Sequence, residues 1–97
     1  MLSIELNGTG QVRMAGRLDA VQAPAAQTVL DKASGIVTVD CGELEYISSA
    51  GLGVLLKTHK RLLGSSGRVR LAGVRPHIRD IFKYSGFDQI FEIQSAE

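Results

Sequence analysis

The chain begins with two short segments in which apolar and polar residues alternate. Residues 3–6 and residues 11–15 both have this period of two, and the turn-forming run at residues 7–10 separates them. A period of two is typical of strands that bury one face. The pattern therefore predicts a β-hairpin at the start of the fold, and residues 16–19 are predicted to break it.

Helical spacing recurs in the rest of the chain. Apolar residues repeat at intervals of three or four positions across residues 21–33 and again across residues 52–63, and each run is followed by a glycine. A third and shorter helix is predicted to begin at Pro76 and to end at Gly86. Proline in the first helical turn and glycine after the last residue are typical helix boundaries.

Short β-rich runs separate these helices. Residues 36–41 are rich in β-branched side chains, which is typical of a central strand buried on both faces. Residues 42–47 are predicted to be a connection, residues 68–72 an alternating strand, and residues 87–93 a last short strand. Strands that alternate with helices predict an α/β fold, a mixed sheet of four to five strands with about three helices packed on it.

Composition narrows the functional classes. Ninety-seven residues are enough for one domain, which we expect to span residues 1–97. Eleven Lys and Arg residues balance ten Asp and Glu residues, so we expect no nucleic-acid partner. No segment approaches the ~20 apolar residues of a membrane span, and the single Cys41 cannot form a disulfide within the chain. We therefore expect a cytoplasmic protein without membrane association.

Candidate catalytic groups are few. His59 and His77 both lie in predicted helices, with no carboxylate at a spacing that would orient them or complete a metal site. Cys41 has acidic neighbours, whereas a nucleophilic thiol needs electropositive surroundings. The glycine pairs at residues 8–10 and 51–53 do not match phosphate-binding loops. We therefore expect no enzymatic activity, no metal and no cofactor.

Two serines stand at the start of the longest predicted helix. One of Ser48 and Ser49 can cap the free backbone amides there while the other faces solvent. Gly51 has no side chain, so it would leave room for another protein's active site to reach the hydroxyl. The residues alone leave two interpretations open, a simple N-cap or a phosphate acceptor.

The serine pair belongs to a longer motif that is similar to a known family. Residues 44–56, LEYISSAGLGVLL, resemble the signature of the STAS-domain anti-sigma factor antagonists, an apolar pair followed by Asp-Ser-Ser/Thr-Gly-Leu-Gly-Val. Residues 12–19 are similar to the family's second strand and its Gly-Glu-Leu-Asp turn. Residues 71–87 resemble its fourth strand, third helix and Ser-Gly-Leu ending. The likeness covers essentially the whole chain and implies the STAS fold.

The resemblance implies roles for individual residues. The family's phosphorylated serine falls on Ser49, and Ser48, at the position of the family's aspartate, is the second candidate. Ala50 stands at the second Ser/Thr position and cannot accept phosphate, while Arg17 stands where an acidic residue is common. The expected partner-binding surface surrounds the acceptor and comprises Asp19, Tyr46, Ser48, Ser49, Gly51, Leu52 and Gly53.

A partner switch follows from the same resemblance. The unphosphorylated domain, expected to be monomeric when free, would bind and sequester a protein that is both serine kinase and anti-sigma factor. Phosphorylation on Ser49 would end that binding, and a PP2C-type serine phosphatase would restore it. Two alternatives stay open, a constitutive binding module in which Ser49 is only a cap and a ligand-sensing STAS module without a phosphoswitch.

The family commonly ends with an additional amphipathic helix. Only residues 94–97 follow Ile93. Four residues are about one helical turn, which is too short for such a helix. We therefore expect the C-terminal family helix to be absent from this chain.

Overall fold

A computed structural model describes residues 1–95. Its single sheet has five strands in the order β1-β2-β3-β4-β5, with β1 and β2 antiparallel and the remaining neighbours parallel. The strands are β1 (Leu2–Asn7), β2 (Gln11–Leu18), β3 (Ile36–Ile47), β4 (Arg68–Val74) and β5 (Glu92–Ser95). The predicted α/β architecture with a mixed sheet is confirmed.

Three helices form the connections between the parallel strands. They are α1 (Ala23–Leu30), α2 (Ser49–Leu63) and α3 (Pro76–Ser85), and a short 3-10 turn (Phe87–Gln89) follows α3. Buried side chains from all three helices join those of the strands in one core. Along β2 and β4 buried apolar residues alternate with polar ones, so the opposite face of the sheet carries charged side chains. No helix within residues 1–95 is both long and apolar enough to cross a membrane.

Two strands are longer than the sequence pattern predicts. Residues 16–19 were expected to break the hairpin and residues 42–47 to be a connection, but β2 continues to Leu18 and β3 to Ile47. β3 carries two extra residues relative to β2. Arg13 and Ala15 are two positions apart on β2, but their partners Asp40 and Glu43 are three apart on β3. A second register shift of the same kind follows Gly16. Such bulges interrupt the alternation of side chains without ending the strand.

The other differences from prediction are local. β3 is central in the sheet as expected, but it is buried on one face only, since Ile36 is 46% exposed and Asp40 is exposed. Helix α1 is shorter than the predicted range 21–33, because Asp19 accepts backbone N–H groups and holds the preceding residues in a turn. In the predicted strand 87–93, the first half is the 3-10 turn and the strand begins at Glu92.

The last residues bear on the expected absence of a C-terminal helix. Gln94 and Ser95 belong to β5. Ala96 and Glu97, the remainder of the segment in that prediction, lie outside the described residues.

Candidate functional site

The candidate site lies where β2 and β3 end at the same edge of the sheet. β3 ends at Ile47 and α2 begins two residues later, so Ser48 alone makes the connection. The Ser48 N–H donates a 2.9 Å hydrogen bond to the carbonyl of Leu18, the last residue of β2. The carboxyl ends of parallel strands are a usual location of binding sites in α/β sheets. The start of α2 is thereby fixed to both strands.

The structure assigns different tasks to the two serines. Ser48 is the N-cap residue of α2, with extended backbone dihedrals, and its Oγ accepts a 3.3 Å hydrogen bond from the Gly51 N–H. Ser49 is the first helical residue, and it is exposed. The first amides of a helix have no acceptor within the helix, so negative charge at this position is favoured electrostatically. Ser49 therefore presents the hydroxyl that another protein can reach.

The two glycines of the motif face opposite ways. A Cβ on Gly51 would lie 2.8 Å from Ile47 Cγ1, from Leu18 Cγ and from the Leu18 carbonyl oxygen. The expectation that Gly51 leaves room for a partner's active site is therefore wrong, because this glycine lets α2 approach the sheet. A Cβ on Gly53, which is exposed, would meet no atom within 4 Å. Gly53 is the glycine that leaves the surface beside Ser49 open.

The remaining residues of the predicted binding surface lie directly after β2, on β3 and in the first turn of α2. Asp19 is half-buried, and its Oδ1 accepts a 3.1 Å hydrogen bond from the Gln22 N–H, which shapes the turn before α1. Tyr46 is at the border of exposure with 36% of its surface accessible. Leu52 is buried with 6% exposure, so it offers a partner little surface and instead supports α2 from below.

Arg17 is a surface residue that the predicted binding set omits. Its guanidinium lies 4.4 Å from the centre of the Tyr46 ring, within the range of a cation–π contact. The two residues face each other across β2 and β3. The sequence shows both residue types, but their pairing depends on the β3 bulges, which the sequence pattern did not reveal.

The two histidines and the cysteine form hydrogen bonds with backbone groups of the strands. Cys41 is buried, and burial, with a smaller effect of the Asp40 carboxylate, raises the pKa of its thiol to about 12. His59 is buried in α2, where its Nδ1 accepts a 3.0 Å hydrogen bond from the Val69 N–H and burial lowers its pKa. His77 Nε2 donates to the Glu45 carbonyl at 2.9 Å.

A metal ion or a small ligand would need a site of a different kind. Within residues 1–95, no three or more His, Cys, Asp or Glu side chains are grouped so as to hold a metal ion. A cavity of about 410 Å³ lies between α3 and β5, lined by Arg79, Asp80, Lys83, Asp88, Phe91 and Ile93. None of the predicted site residues lines this cavity.

Comparison with known proteins decides the family. Residues 4–94 match the family described as "Mlab, STAS domain". The chain belongs to the STAS domain family. The family resemblance of the serine motif is thereby confirmed, and the five-stranded mixed sheet with three helices is the STAS fold.

Two relatives of this STAS chain have names that refer to anti-sigma factors. It is 42% identical over 67 residues to BtrV of Bordetella bronchiseptica, a candidate anti-sigma factor antagonist, and the match covers 69% of this chain and 58% of BtrV. It is 30% identical over 88 residues to the anti-sigma-B factor antagonist of Listeria monocytogenes, covering 87% of this chain and 77% of that protein. The match thus spans little more than half the length of BtrV.

Solved structures share the fold at lower identity. The unphosphorylated anti-sigma factor antagonist SpoIIAA superposes with a TM-score of 0.71 at 17% identity, over 100% of this chain and 90% of that one. The phosphorylated form of the Bacillus SpoIIAA gives a TM-score of 0.70 at 20% identity, over 100% and 93% of the two chains.

Proposed function

We propose that this STAS domain is an anti-sigma factor antagonist that works by partner switching. In its unmodified form it binds and sequesters a serine kinase that is also an anti-sigma factor. Phosphorylation of Ser49 ends the binding, and a PP2C-type phosphatase restores it. The names of the relatives support the antagonist class, and the existence of a phosphorylated SpoIIAA structure supports the modification.

The observation that carries this proposal is the division between the two serines. Ser48 already caps α2, so the Ser49 hydroxyl is not needed for that task and is exposed. This argues against a constitutive module in which Ser49 is only a cap. We further propose that residues 1–97 act as one domain that is monomeric when free, works in the cytoplasm and has no enzymatic activity of its own.

Phosphorylation of Ser49 should leave the fold intact. A phosphoserine adds a charge of roughly −1.5 to −2 and three acceptor oxygens. At the first residue of α2 this charge meets the free amides and the positive end of the helix dipole, which favours it by about 0.3 to 1 kcal/mol. The modification therefore does not act by unfolding the chain.

The switch must then act between molecules. The partner surface proposed here consists of Ser49 with Asp19, Tyr46, Ser48 and Gly53, while Gly51 and Leu52 are buried in the first turn of α2. A phosphate placed in a closely packed interface must lose its water and displaces partner atoms. A change of about 3 to 4 kcal/mol corresponds to a several-hundred-fold loss of affinity.

Phosphate transfer to Ser49 is the direct test. The chain is incubated with ATP and a serine kinase/anti-sigma factor from the same genome, and the modified residue is mapped by mass spectrometry. We expect wild type and Ser48→Ala to be labelled on Ser49 and Ser49→Ala to remain unlabelled. Undiminished labelling of Ser49→Ala would refute the assignment.

A phosphate mimic tests the binding step. Ser49→Asp should keep the circular dichroism spectrum of the wild type and bind the same kinase far more weakly, whereas Ser49→Ala should still bind. Global unfolding of Ser49→Asp would contradict an intermolecular switch.

A further inference from the structure

The second half of β3 has a neighbouring strand on one side only. Its pairing with β2 continues to the last residue of the strand, whereas its pairing with β4 ends at Asp40 and Ala72. Gly73, the next residue of β4, has a φ of +65°, a left-handed conformation that interrupts the extended backbone. Residues 41–47, which include Tyr46 of the proposed partner surface, therefore extend beyond β4.

Two side chains from the start of α3 take the place of β4 along this segment. Arg75, the N-cap residue of α3, donates from Nε to the Gly42 carbonyl at 2.7 Å. His77, in the first turn, donates from Nε2 to the Glu45 carbonyl at 2.9 Å. A backbone carbonyl that has left the ladder needs another donor, and these side chains supply one for each carbonyl. Arg75 and His77 are here called the α3 clamp.

The α3 clamp acts on the backbone beside Tyr46. The Glu45 carbonyl belongs to the peptide group that joins Glu45 to Tyr46, so the His77 bond holds the backbone from which the ring extends. From the other side, the Arg17 guanidinium of β2 lies 4.4 Å from the centre of the ring. Tyrosine is enriched in the hot spots of protein interfaces, and a side chain that is already ordered loses less entropy on binding.

The proposed acceptor serine is held by different contacts. The Ser48 N–H donates to the Leu18 carbonyl, and the Ser48 Oγ accepts the Gly51 N–H. Neither bond involves α3. The position of Ser49 therefore depends on β2 and on the start of α2, whereas the position of Tyr46 depends on α3 as well.

We propose that Arg75 and His77 are positioning residues for partner docking. They hold Tyr46 in the orientation that the serine kinase/anti-sigma partner recognises, and they do not orient the Ser49 hydroxyl. The inference rests on the function proposed above and adds α3 to the elements that control the site. Loss of either clamp residue weakens docking of the kinase but leaves phosphate transfer from the docked complex unchanged.

Paired substitutions test the α3 clamp in the kinase reaction that labels Ser49. His77→Leu and Arg75→Met remove the donors, whereas His77→Gln and Arg75→Lys keep an N–H at each position. The first two should raise KM for the chain by roughly three- to tenfold, the usual effect of one net hydrogen bond, with kcat within about twofold. The second two should keep KM within about twofold of the wild type. Calorimetry with the kinase and ADP checks that KM reports affinity.

Arg61→Met is the matched control for a general loss of stability. Arg61 also donates to two backbone carbonyls, but at the far end of α2. The variant should be less stable in urea and still have KM within about twofold of the wild type. Circular dichroism confirms that every variant is folded at the assay temperature. Wild-type KM in both His77→Leu and Arg75→Met would overturn the α3 clamp, and so would a His77→Gln variant as weak as His77→Leu.

Hydrogen exchange on the isolated chain gives a readout that needs no kinase. In His77→Leu the amides of residues 42–46 should exchange faster than in the wild type, while those of residues 54–63 in α2 should not. Unchanged exchange at residues 42–46 would overturn the α3 clamp even where Ser49 is labelled normally. Absence of labelling in the wild type would instead defeat the proposed function.

Discussion

Helix α2 exposes Ser49 and Gly53 at its first turns, called the free end for this accessibility, and side chains join its last turns to neighbouring elements. At the free end Ser49 and Gly53 are exposed, and the Ser48 cap is the side-chain hydrogen bond that holds the helix start. Chemistry at Ser49 and contact at Gly53 can therefore change without removing a buried interaction.

The last turns of α2 are held by several side chains. Thr58 Oγ1 accepts a 3.2 Å hydrogen bond from Gln27 of α1, and His59 accepts the Val69 N–H of β4. Arg61 donates a 3.0 Å hydrogen bond to the carbonyl of Leu30, the last residue of α1, and a 2.9 Å bond to the carbonyl of Ala33 in the loop that follows. These bonds join α2 to its neighbours on both sides.

The difference between the two ends teaches that anchoring and signalling occupy separate parts of one helix. Substitutions at the fixed end should change stability and leave binding intact in the folded protein. Substitutions of the exposed residues at the free end should change binding and cost little stability. Substitutions on α2 test this division.

The largest effect on stability is expected from His59→Leu. Leucine fills the space but leaves the buried Val69 N–H without an acceptor and removes the edge contact with the Phe91 ring, so unfolding should become easier by about 2 to 4 kcal/mol. His59→Asn keeps an acceptor oxygen, so it should lose less stability than His59→Leu. Urea unfolding measures both, and equal losses would show that the hydrogen bond does not anchor the helix.

The same side chain should make stability depend on pH. Burial lowers the pKa of folded His59 below its ordinary 6.5, so the folded state binds the proton less readily than the unfolded state. The contribution of neutral His59 to the stability of the fold is complete above about pH 6.5, and it declines as the pH falls below that value toward the folded pKa. His59→Asn cannot titrate and should show a flatter profile between about pH 7 and 5. If stability changed with pH in the same way in the wild type and in His59→Asn, the titration of His59 would not be the cause.

Gly51→Ala should destabilise the fold, because Gly51 lies on the buried side of the first turn of α2. The new methyl group would lie 2.8 Å from Leu18 and Ile47 atoms, so α2 must move away from the sheet at a cost of about 1 to 3 kcal/mol. Thermal unfolding is the measurement. A variant as stable as the wild type would mean that the first turn of α2 is not closely packed against the sheet.

Gly53→Ala is the matched substitution at the free end. Its methyl group meets open space, and alanine favours a helix over glycine by about 0.8 to 1 kcal/mol, so the variant should be more stable. Binding of the kinase should nevertheless weaken, because the methyl group projects from the surface beside Ser49. Tighter or unchanged binding would remove Gly53 from the partner surface.

The smallest change in stability is expected from substitutions of Ser49. Ser49→Asp should stabilise the isolated chain by about 0.3 to 1 kcal/mol through the helix dipole, and Ser49→Lys should destabilise it by a similar amount. Low ionic strength is needed to resolve the difference in urea unfolding. Effects of the same sign would show that the helix start does not favour negative charge.

Periodicity predicted the order of the elements but not the full length of two of them. The hairpin and helices α2 and α3 have clean repeats, because each buries one face against the same core. The repeat fails in β3, where buried Cys41, Leu44 and Ile47 are spaced by three residues. Bulges produce that spacing, and they depend on pairing with β2, which a single segment does not encode.

The sequence predicted correctly that the two serines lie at the start of α2, but it did not predict which motif glycine faces the sheet. Ser48 and Ser49 stand out because a helix start needs a cap, and that requirement is local. Whether Gly51 or Gly53 faces the sheet depends on the rotation of α2, which is set by packing across the core. The contact between Arg17 and Tyr46 likewise requires the register of two strands.

The hydrogen bond from the Ser48 N–H to the Leu18 carbonyl has a consequence for engineering. Because of this bond, the position of Ser49 depends on the ends of both β2 and β3, which lie about thirty positions apart in the chain. A graft of residues 46–53 into a homologous scaffold would carry over the serine without the strand end that sets its position. Transfer of partner preference between homologues should therefore require residues 16–19 as well.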